Sequence, residues 1–258
     1  MATVGIFDSG SGGLSVLKEL LKLLPRERYI YYSDSANCPY GDKSPEFVRR
    51  RASDITRLLL DKGADIIVVA CNTATAAAIS ALRDEFRDTP FVGMEPAVKP
   101  AALGTRTGLI GVLATAGTLK GSLYLDTRSR FQDNVRIVER VGRGFVELVE
   151  NGTFSGPEAE RVCKASLQPL LDEGADRIVL GCTHYPFLLP VLEKIASEHC
   201  ISPNGSREVQ FIDPAPAVAR RTALLLPAGK TAAGGVELLS SGSTEALERS
   251  FSFININK

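Results

Sequence analysis

The chain has 258 residues, and its 30 Lys and Arg residues balance 30 Asp and Glu residues to a formal net charge of zero. This length suits one large domain or two modest ones, and a composition of 44% hydrophobic and 23% charged residues excludes wholesale disorder. The balanced charge gives no reason to expect nucleic acid or a membrane as partner, and the longest apolar runs, such as Ile66–Ala70, are too short to span a bilayer.

Short apolar runs alternate with helix-patterned stretches along the whole chain, which predicts an α/β fold with a mostly parallel sheet and helices on both faces. In chain order, strands and helices are predicted to alternate as Val4–Phe7, Leu14–Leu24, Tyr29–Tyr32, Pro45–Lys62, Ile66–Ala70, Thr73–Phe86, Leu109–Leu113, Leu119–Phe131, Val135–Val141, Pro157–Leu171, Ile178–Leu180, Phe187–Ser197, Gln210–Ile212, Ala215–Leu226, Val236–Leu239 and Glu245–Ser250.

The cysteines form an odd set without metal-like spacing: Cys38, Cys71, Cys163, Cys182 and Cys200. We therefore expect neither a disulfide framework nor a zinc ribbon, and we predict no metal site. The first residues carry no basic segment ahead of the first strand, so no secretory signal is visible. The sequence predicts a reduced, cytoplasmic protein whose thiols either fill the core or carry chemistry.

A repeated segment relates the two halves of the chain. Residues 63–71 (GADIIVVAC) recur as residues 174–182 (GADRIVLGC), and residues 4–9 (VGIFDS) align with residues 110–115 (IGVLAT). The repeat predicts two pseudo-symmetric αβ domains, each with a mostly parallel sheet flanked by helices, and an active site in the crevice between them. We assign residues 1–95 plus 208–258 to the first domain and residues 96–207 to the second.

Both copies of the repeat end in a cysteine, Cys71 and Cys182, where a buried strand gives way to a helix. A helix N-terminus favours the thiolate, which makes each cysteine a usable base near neutral pH. Two such groups can remove a proton from one face of a carbon and return one to the other, which inverts a stereocentre without a cofactor. Asp8 is the candidate partner of Cys71, and His184 is that of Cys182. The alternative interpretation is that the cysteines only fill the core and that Asp8 caps the following glycine-rich turn.

These residues lie in segments that resemble the glutamate racemase family, cofactor-independent enzymes that make D-glutamate for bacterial peptidoglycan. The segments are VGIFDSGSGG at 4–13, YYSDSANCPYGDK at 31–43, ACNTATA at 70–76, GMEPAVKPA at 93–101, IGVLATAGT at 110–118, VLGCTHYPFL at 179–188 and IDPAPAVARR at 212–221. The resemblance implies glutamate as small-molecule substrate, no cofactor, a homodimer, and Cys71 and Cys182 as acid/base thiols. It also implies substrate contacts from Asp8, Ser9, Tyr40, Gly41, Asn72, Thr73, Thr115, Thr118, Thr183 and His184.

One segment departs from the family pattern. A Cys-Pro pair and a hydrophobic run usually precede the stretch that holds Glu150, but this chain has Val-Gly-Arg-Gly-Phe-Val at 141–146. The departure leaves the role of Glu150 open. Cys38, Cys163 and Cys200 are interpreted as incidental or structural.

Other functions remain compatible with parts of the sequence. A related racemase for aspartate or a hydantoin would also use twin cysteines, and a non-catalytic dicarboxylate-binding protein would not need them. A racemase dependent on pyridoxal phosphate is disfavoured because no lysine follows a predicted strand in this region. The turn at 8–13 resembles a phosphate loop, but its glycines lack the spacing of the nucleotide-binding motifs.

Overall fold

The computed structural model describes residues 2–199, 208–227 and 234–256. In chain order its strands and helices are β1 (Thr3–Asp8), α1 (Leu14–Leu23), β2 (Arg28–Ser33), α2 (Pro45–Asp61), β3 (Ile66–Val69), α3 (Asn72–Glu85), β4 (Phe91–Gly93), α4 (Val98–Gly104), β5 (Leu109–Ala114), α5 (Ala116–Lys120), α6 (Ser122–Ser129), β6 (Arg136–Val141), α7 (Phe145–Glu150), α8 (Pro157–Asp172), β7 (Arg177–Gly181), α9 (Leu189–His199), β8 (Gln210–Ile212), α10 (Ala215–Leu225), β9 (Gly235–Ser240) and α11 (Glu245–Ile256). Short 3₁₀ turns lie at Ser35–Asn37, Tyr40–Asp42 and Tyr185–Leu188.

The first of two compact units comprises residues 1–94 and 215–258. Its sheet has the order β4-β3-β1-β2-β9, and every pair of neighbouring strands is parallel. Helix α1 packs against α10 and α11, and α2 packs against α3. The central strand β1 is buried along its whole length, as expected for a parallel sheet covered by helices.

The second unit comprises residues 95–214 and holds a parallel sheet of order β6-β5-β7-β8. Helix α8 packs against α9 and β6. Apolar side chains from α4, β5 and β7 form one core cluster around the buried ring of Tyr124. Strands β5 and β7 are fully buried, which explains why their sequences are apolar apart from Arg177 at the start of β7.

The two sheets have the same design. Strand β1 lies between β3 and β2, and β5 lies between β7 and β6, so the orders β4-β3-β1-β2 and β8-β7-β5-β6 correspond strand for strand. Gly5 of β1 and Gly111 of β5 are equivalent, and a Cβ at either would meet an isoleucine Cδ1 of the neighbouring strand, at 2.9 Å and 2.8 Å. The α/β fold with two parallel sheets is therefore confirmed, and the repeat read from the sequence corresponds to equivalent strands.

The structure differs from the predicted elements in several places. Strand β4 and helices α4 and α7 have no counterpart among the predictions. The helix predicted at Leu119–Phe131 is two helices, because Gly121 has an extended backbone between α5 and α6. The chain returns to the first unit at Ala215 and not at residue 208, because β8 pairs with β7 in the second sheet. Among the described residues, no helix is both long and apolar enough to cross a membrane.

Candidate active site

Cys71 lies two residues after the end of β3, beyond Ala70, and is the N-cap of α3. Its Sγ accepts a hydrogen bond from the backbone N–H of Ala74 at 3.4 Å and lies 3.9 Å from the Ser9 Oγ. The residue is only 5% exposed. A backbone donor and the positive end of a helix both stabilise the thiolate, so this position suits a thiol that must act as a base.

Asp8 ends β1 and is completely buried. One carboxylate oxygen accepts the backbone N–H of Ser9 at 2.7 Å, and the other accepts that of Gly13 at 2.8 Å. Asp8 therefore fixes the glycine-rich turn, as the alternative interpretation required. The same carboxylate also lies 3.4 Å from the Ser9 hydroxyl, which is in turn close to the Cys71 thiol.

Asn72 begins α3 beside Cys71 and is 4% exposed. Neither its amide nitrogen nor its amide oxygen has a hydrogen-bond partner in the described part of the chain. Burying an amide without partners costs stability, and such groups are rare unless another molecule satisfies them. Asn72 thus offers a donor and an acceptor to a ligand, and Thr73, also buried, follows it on the same turn.

Tyr40 and Gly41 belong to a 3₁₀ turn after β2, and a buried carboxylate holds this turn. Asp34 accepts bonds from Arg51 Nε at 3.0 Å and Nη2 at 2.8 Å, from the amide of Asn37 and from the Tyr40 hydroxyl. Burial raises the pKa of Asp34, but the bonds from Arg51 and Tyr40 outweigh it and keep the pKa below its ordinary value. Since the Tyr40 hydroxyl is engaged with Asp34, the turn presents its backbone and Gly41 for other contacts.

Cys182 follows β7 and is joined to a carboxylate through a histidine. The Cys182 Sγ lies 3.7 Å from His184 Nδ1, and His184 Nε2 lies 2.7 Å from the Glu150 Oε1. His184 is 1% exposed. A carboxylate on the far nitrogen orients the ring and favours its protonated form, and an imidazolium beside a thiol favours the thiolate.

The helix predicted at Phe187–Ser197 begins at Leu189, so no helix N-terminus lies directly after Cys182. A 3₁₀ turn at Tyr185–Leu188 intervenes, and Tyr185 donates its N–H to the Cys182 carbonyl at 3.1 Å. The two thiols therefore end equivalent strands, but the segments after them differ. A helix N-terminus lies beside Cys71, and a histidine–carboxylate pair lies beside Cys182.

Threonines supply hydroxyls near the ends of β5 and β7. Thr115 caps α5 by accepting the Thr118 N–H at 3.2 Å, and the two hydroxyls lie 2.9 Å apart. Thr183 is buried, with its Oγ1 3.5 Å from His184 Nδ1. Thr115 is equivalent to Ser9 in the repeat, so both units place a hydroxyl just after their central strand.

The other cysteines differ from these two. Cys163 is fully buried in α8, and burial raises the pKa of its thiol to about 12, which keeps it protonated. Cys38 is half-buried before the Tyr40 turn. Cys200 lies outside the described residues.

Sequence reasoning missed Asp34 and left Glu150 open. Within the first unit the structure brings Asp8, Ser9 and Cys71 together, and within the second it brings Cys182, Thr183, His184 and Glu150 together. The signal for Asp34 was a charged residue two positions after the strand predicted at Tyr29–Tyr32, inside the 31–43 segment. Glu150 carried no local signal, because its partner is 34 residues away.

Comparison with known proteins gives the family. The family model described as Asp/Glu/hydantoin racemase matches residues 4–222. A glutamate racemase of Ectopseudomonas mendocina is 46% identical over 245 residues, which cover 95% of this chain and 87% of that protein. Another from Roseiflexus sp. is 47% identical over 223 residues, which cover 86% of this chain and 79% of that protein.

Solved structures agree with the sequence comparisons. Escherichia coli glutamate racemase, in complex with L-glutamate and the activator UDP-MurNAc-Ala, matches with a TM-score of 0.84 at 36% identity, covering 99% of this chain and 94% of that one. Francisella tularensis glutamate racemase, in complex with D-glutamate, matches with a TM-score of 0.81 at 26% identity, covering 98% and 93%. On this evidence the chain belongs to the Asp/Glu/hydantoin racemase family.

Proposed function

We propose that this chain is a glutamate racemase that interconverts L- and D-glutamate without a cofactor, with Cys71 and Cys182 as its two bases. The observation that carries the proposal is the pair of buried cysteines at the ends of equivalent strands, β3 and β7. The relatives and solved structures named above, which are glutamate racemases, support glutamate as the substrate.

The proposed reaction moves one proton off the Cα of glutamate and another on. One thiolate takes the proton from one face, and the Cα–H electron pair stays on the carbon as a carbanion. The other thiol then gives its proton to the opposite face. Each turnover exchanges the protonation states of the two cysteines, so the reverse reaction uses them in opposite roles.

Each thiol has its own helper in this proposal. The Ala74 N–H and the α3 N-terminus stabilise the Cys71 thiolate, with Asp8 acting beside it. His184, held by Glu150, stabilises the Cys182 thiolate. Because these groups differ, substitutions in either set should change kcat unequally in the two directions, while kcat/KM stays equal in both because the enantiomers have equal free energy.

Substrate binding is assigned to the polar groups around the thiols. The unsatisfied amide of Asn72 has capacity for both a carboxylate and an ammonium group. The remaining contacts are assigned to Asp8, Ser9, Tyr40, Gly41, Thr73, Thr115, Thr118, Thr183 and His184. The turn that carries Tyr40 and Gly41 is rigidly held by Asp34, which suits a fixed contact.

Three further statements belong to this proposal. The product D-glutamate would supply peptidoglycan synthesis. Two working thiols must stay reduced, which favours the cytoplasm as the compartment. The assembly is proposed to be a homodimer.

The decisive measurement is circular dichroism of purified protein mixed with D-glutamate or D-aspartate and no added cofactor. We expect the D-glutamate signal to decay to zero and the D-aspartate signal to persist. Racemisation of aspartate with no effect on glutamate would instead assign the related aspartate activity, and no change in either would leave a binding protein.

The assignment of the bases is tested in D₂O with Cys71→Ser and Cys182→Ser. Each substitution is expected to lower the racemisation rate by about 10²-fold or more, because a hydroxyl is a far weaker acid than a thiol. Cys163→Ala is the matched control and should keep the wild-type rate. Near-normal racemisation by either serine variant would contradict the two-base mechanism.

A further inference from the structure

One cavity of the second unit is lined by residues to which no role in racemisation is assigned. It has a volume of about 540 Å³ and lies against the end of β6, one face of α8 and Leu119 of α5. This volume falls within the usual range for small-molecule sites. Its walls combine apolar groups, including Leu119, Val162 and Pro169, with three arginines, Arg140, Arg143 and Arg161.

Two of the three arginines carry unbalanced charge. Arg140 pairs with Glu173 at 3.2 Å, and the acidic lining residue Glu139 pairs with Arg128 at 3.2 Å. Arg143 and Arg161 have no ion pair or side-chain hydrogen bond with any residue that the structure describes. The cavity therefore presents two guanidinium groups whose hydrogen-bonding capacity is open to a ligand.

The loop that carries Arg143 is closely packed on both sides. A Cβ at Gly142 would lie 2.5 Å from the Tyr185 hydroxyl, and one at Gly144 would lie 3.0 Å from Val162 Cγ1. Gly144 also has a left-handed backbone with φ of +80°, which glycine adopts readily. The two glycines fix the backbone around Arg143 against α8 and Tyr185, so the arginine extends from a rigid base.

We propose that this cavity is a binding site for a small phosphorylated organic molecule, with Arg143 and Arg161 holding the phosphate. A phosphate dianion matches the charge of two guanidinium groups and can accept a bidentate bond from each. The cavity is larger than a phosphate group, and its apolar wall would cover the organic part. The proposal is independent of racemisation, since no thiol or substrate-binding candidate lines the cavity.

The test is isothermal titration calorimetry of the full chain with phenyl phosphate and, as the carboxylate counterpart, benzoate. Phenyl phosphate is expected to bind saturably and benzoate more weakly. Arg143→Ala and Arg161→Ala should each lower the affinity for phenyl phosphate by about tenfold or more, because each removes a charge-assisted contact. Arg130→Ala, which removes an exposed arginine elsewhere in the same unit, should bind as wild type does.

Further variants and a titration in the presence of D-glutamate complete the test. Arg143→Gln and Arg161→Gln remove the charge but keep a polar side chain, and far-ultraviolet circular dichroism checks that each variant is folded. A titration in saturating D-glutamate should give the same affinity as one without it. The proposal is overturned if the double Arg143→Ala/Arg161→Ala variant binds normally, if benzoate binds more tightly, if D-glutamate displaces phenyl phosphate, or if wild type shows no saturable binding.

Discussion

At the scale of single residues, three cysteines of this chain lie in three different environments. The Cys71 thiol receives a backbone N–H at a helix start, the Cys182 thiol faces an imidazole, and the Cys163 thiol is fully buried, which raises its pKa to about 12. The repeated segment was enough to select the first two from the sequence. His184 was selected with them, since it lies two residues from Cys182. The contacts of His184 with Glu150 and of Cys71 with Ser9 join residues 34 and 62 positions apart and could not be selected that way.

Glu150→Gln tests the importance of the charge on the far side of His184. Glutamine keeps the size and hydrogen-bonding reach but removes the negative charge, so protonated His184 loses its counter-charge. We expect kcat to fall by about tenfold to hundredfold, with unequal losses in the two directions because Cys71 has a different helper. Polarimetric kinetics from L- and from D-glutamate would measure both losses.

Glu147→Gln is the matched control for that experiment, since Glu147 lies exposed on the same helix. It should retain the wild-type kcat. If Glu150→Gln also retained it in both directions, the carboxylate would have no part in activating Cys182.

At the scale of elements, the long helices followed from their hydrophobic pattern, and several of the short elements did not. Strand β4 spans only Phe91–Gly93 and α7 only Phe145–Glu150, which is too little chain for a period of two or of 3.6 to show. The segment after Cys182 was predicted to lead into a helix near the thiol, with that helix spanning Phe187–Ser197. Its His-Tyr-Pro sequence instead forms a 3₁₀ turn, and that turn places His184 beside the thiol.

Gly142→Ala tests the packing between the loop after β6 and the 3₁₀ turn after β7. Its new Cβ would overlap the Tyr185 hydroxyl, which now donates to the Gly142 carbonyl at 3.4 Å. We expect a loss of about 1–3 kcal/mol in the free energy of unfolding, measured by urea denaturation. Gly104→Ala, at the end of α4 with its nearest neighbour 3.4 Å away, should be close to neutral. Equal stability of the two variants would mean that the loop is not tightly packed.

At the scale of the whole molecule, each unit contains a buried carboxylate whose pKa is held below its ordinary value. In the first unit this is Asp34, and in the second it is Asp176, which receives bonds from Thr105 and from the N–H of Arg106. Burial raises the pKa of Asp176, but these bonds outweigh it and keep the pKa below its ordinary value. Both carboxylates bond to residues that the sequence alone did not connect to them.

The two aspartates, Asp34 and Asp176, make the free energy of unfolding depend on pH in the acid range. Because their folded-state pKa values lie below the unfolded value of about 3.9, they stabilise the fold above that pH, and this contribution is lost as the pH falls through the lower, folded-state values. The free energy of unfolding should therefore fall steeply below about pH 4. Asp34→Asn and Asp176→Asn should each flatten this dependence, and Asp133→Asn, at an exposed site, should not. Parallel curves for all four proteins, from urea titrations at several pH values, would contradict the assignment.

The first unit is formed by two separate segments of the chain, and this affects the order in which the two units can fold during synthesis. Strand β9 pairs with β2 from Arg28 to Ser33, and α10 packs against α1, yet both are synthesised after the entire second unit. On the ribosome, β1 to β4 emerge long before the strand and helices that complete their unit. All four strands of the second sheet are present once residue 212 has emerged. The nascent chain can thus fold its second unit first, and the first unit is completed only after α10 and β9 have emerged.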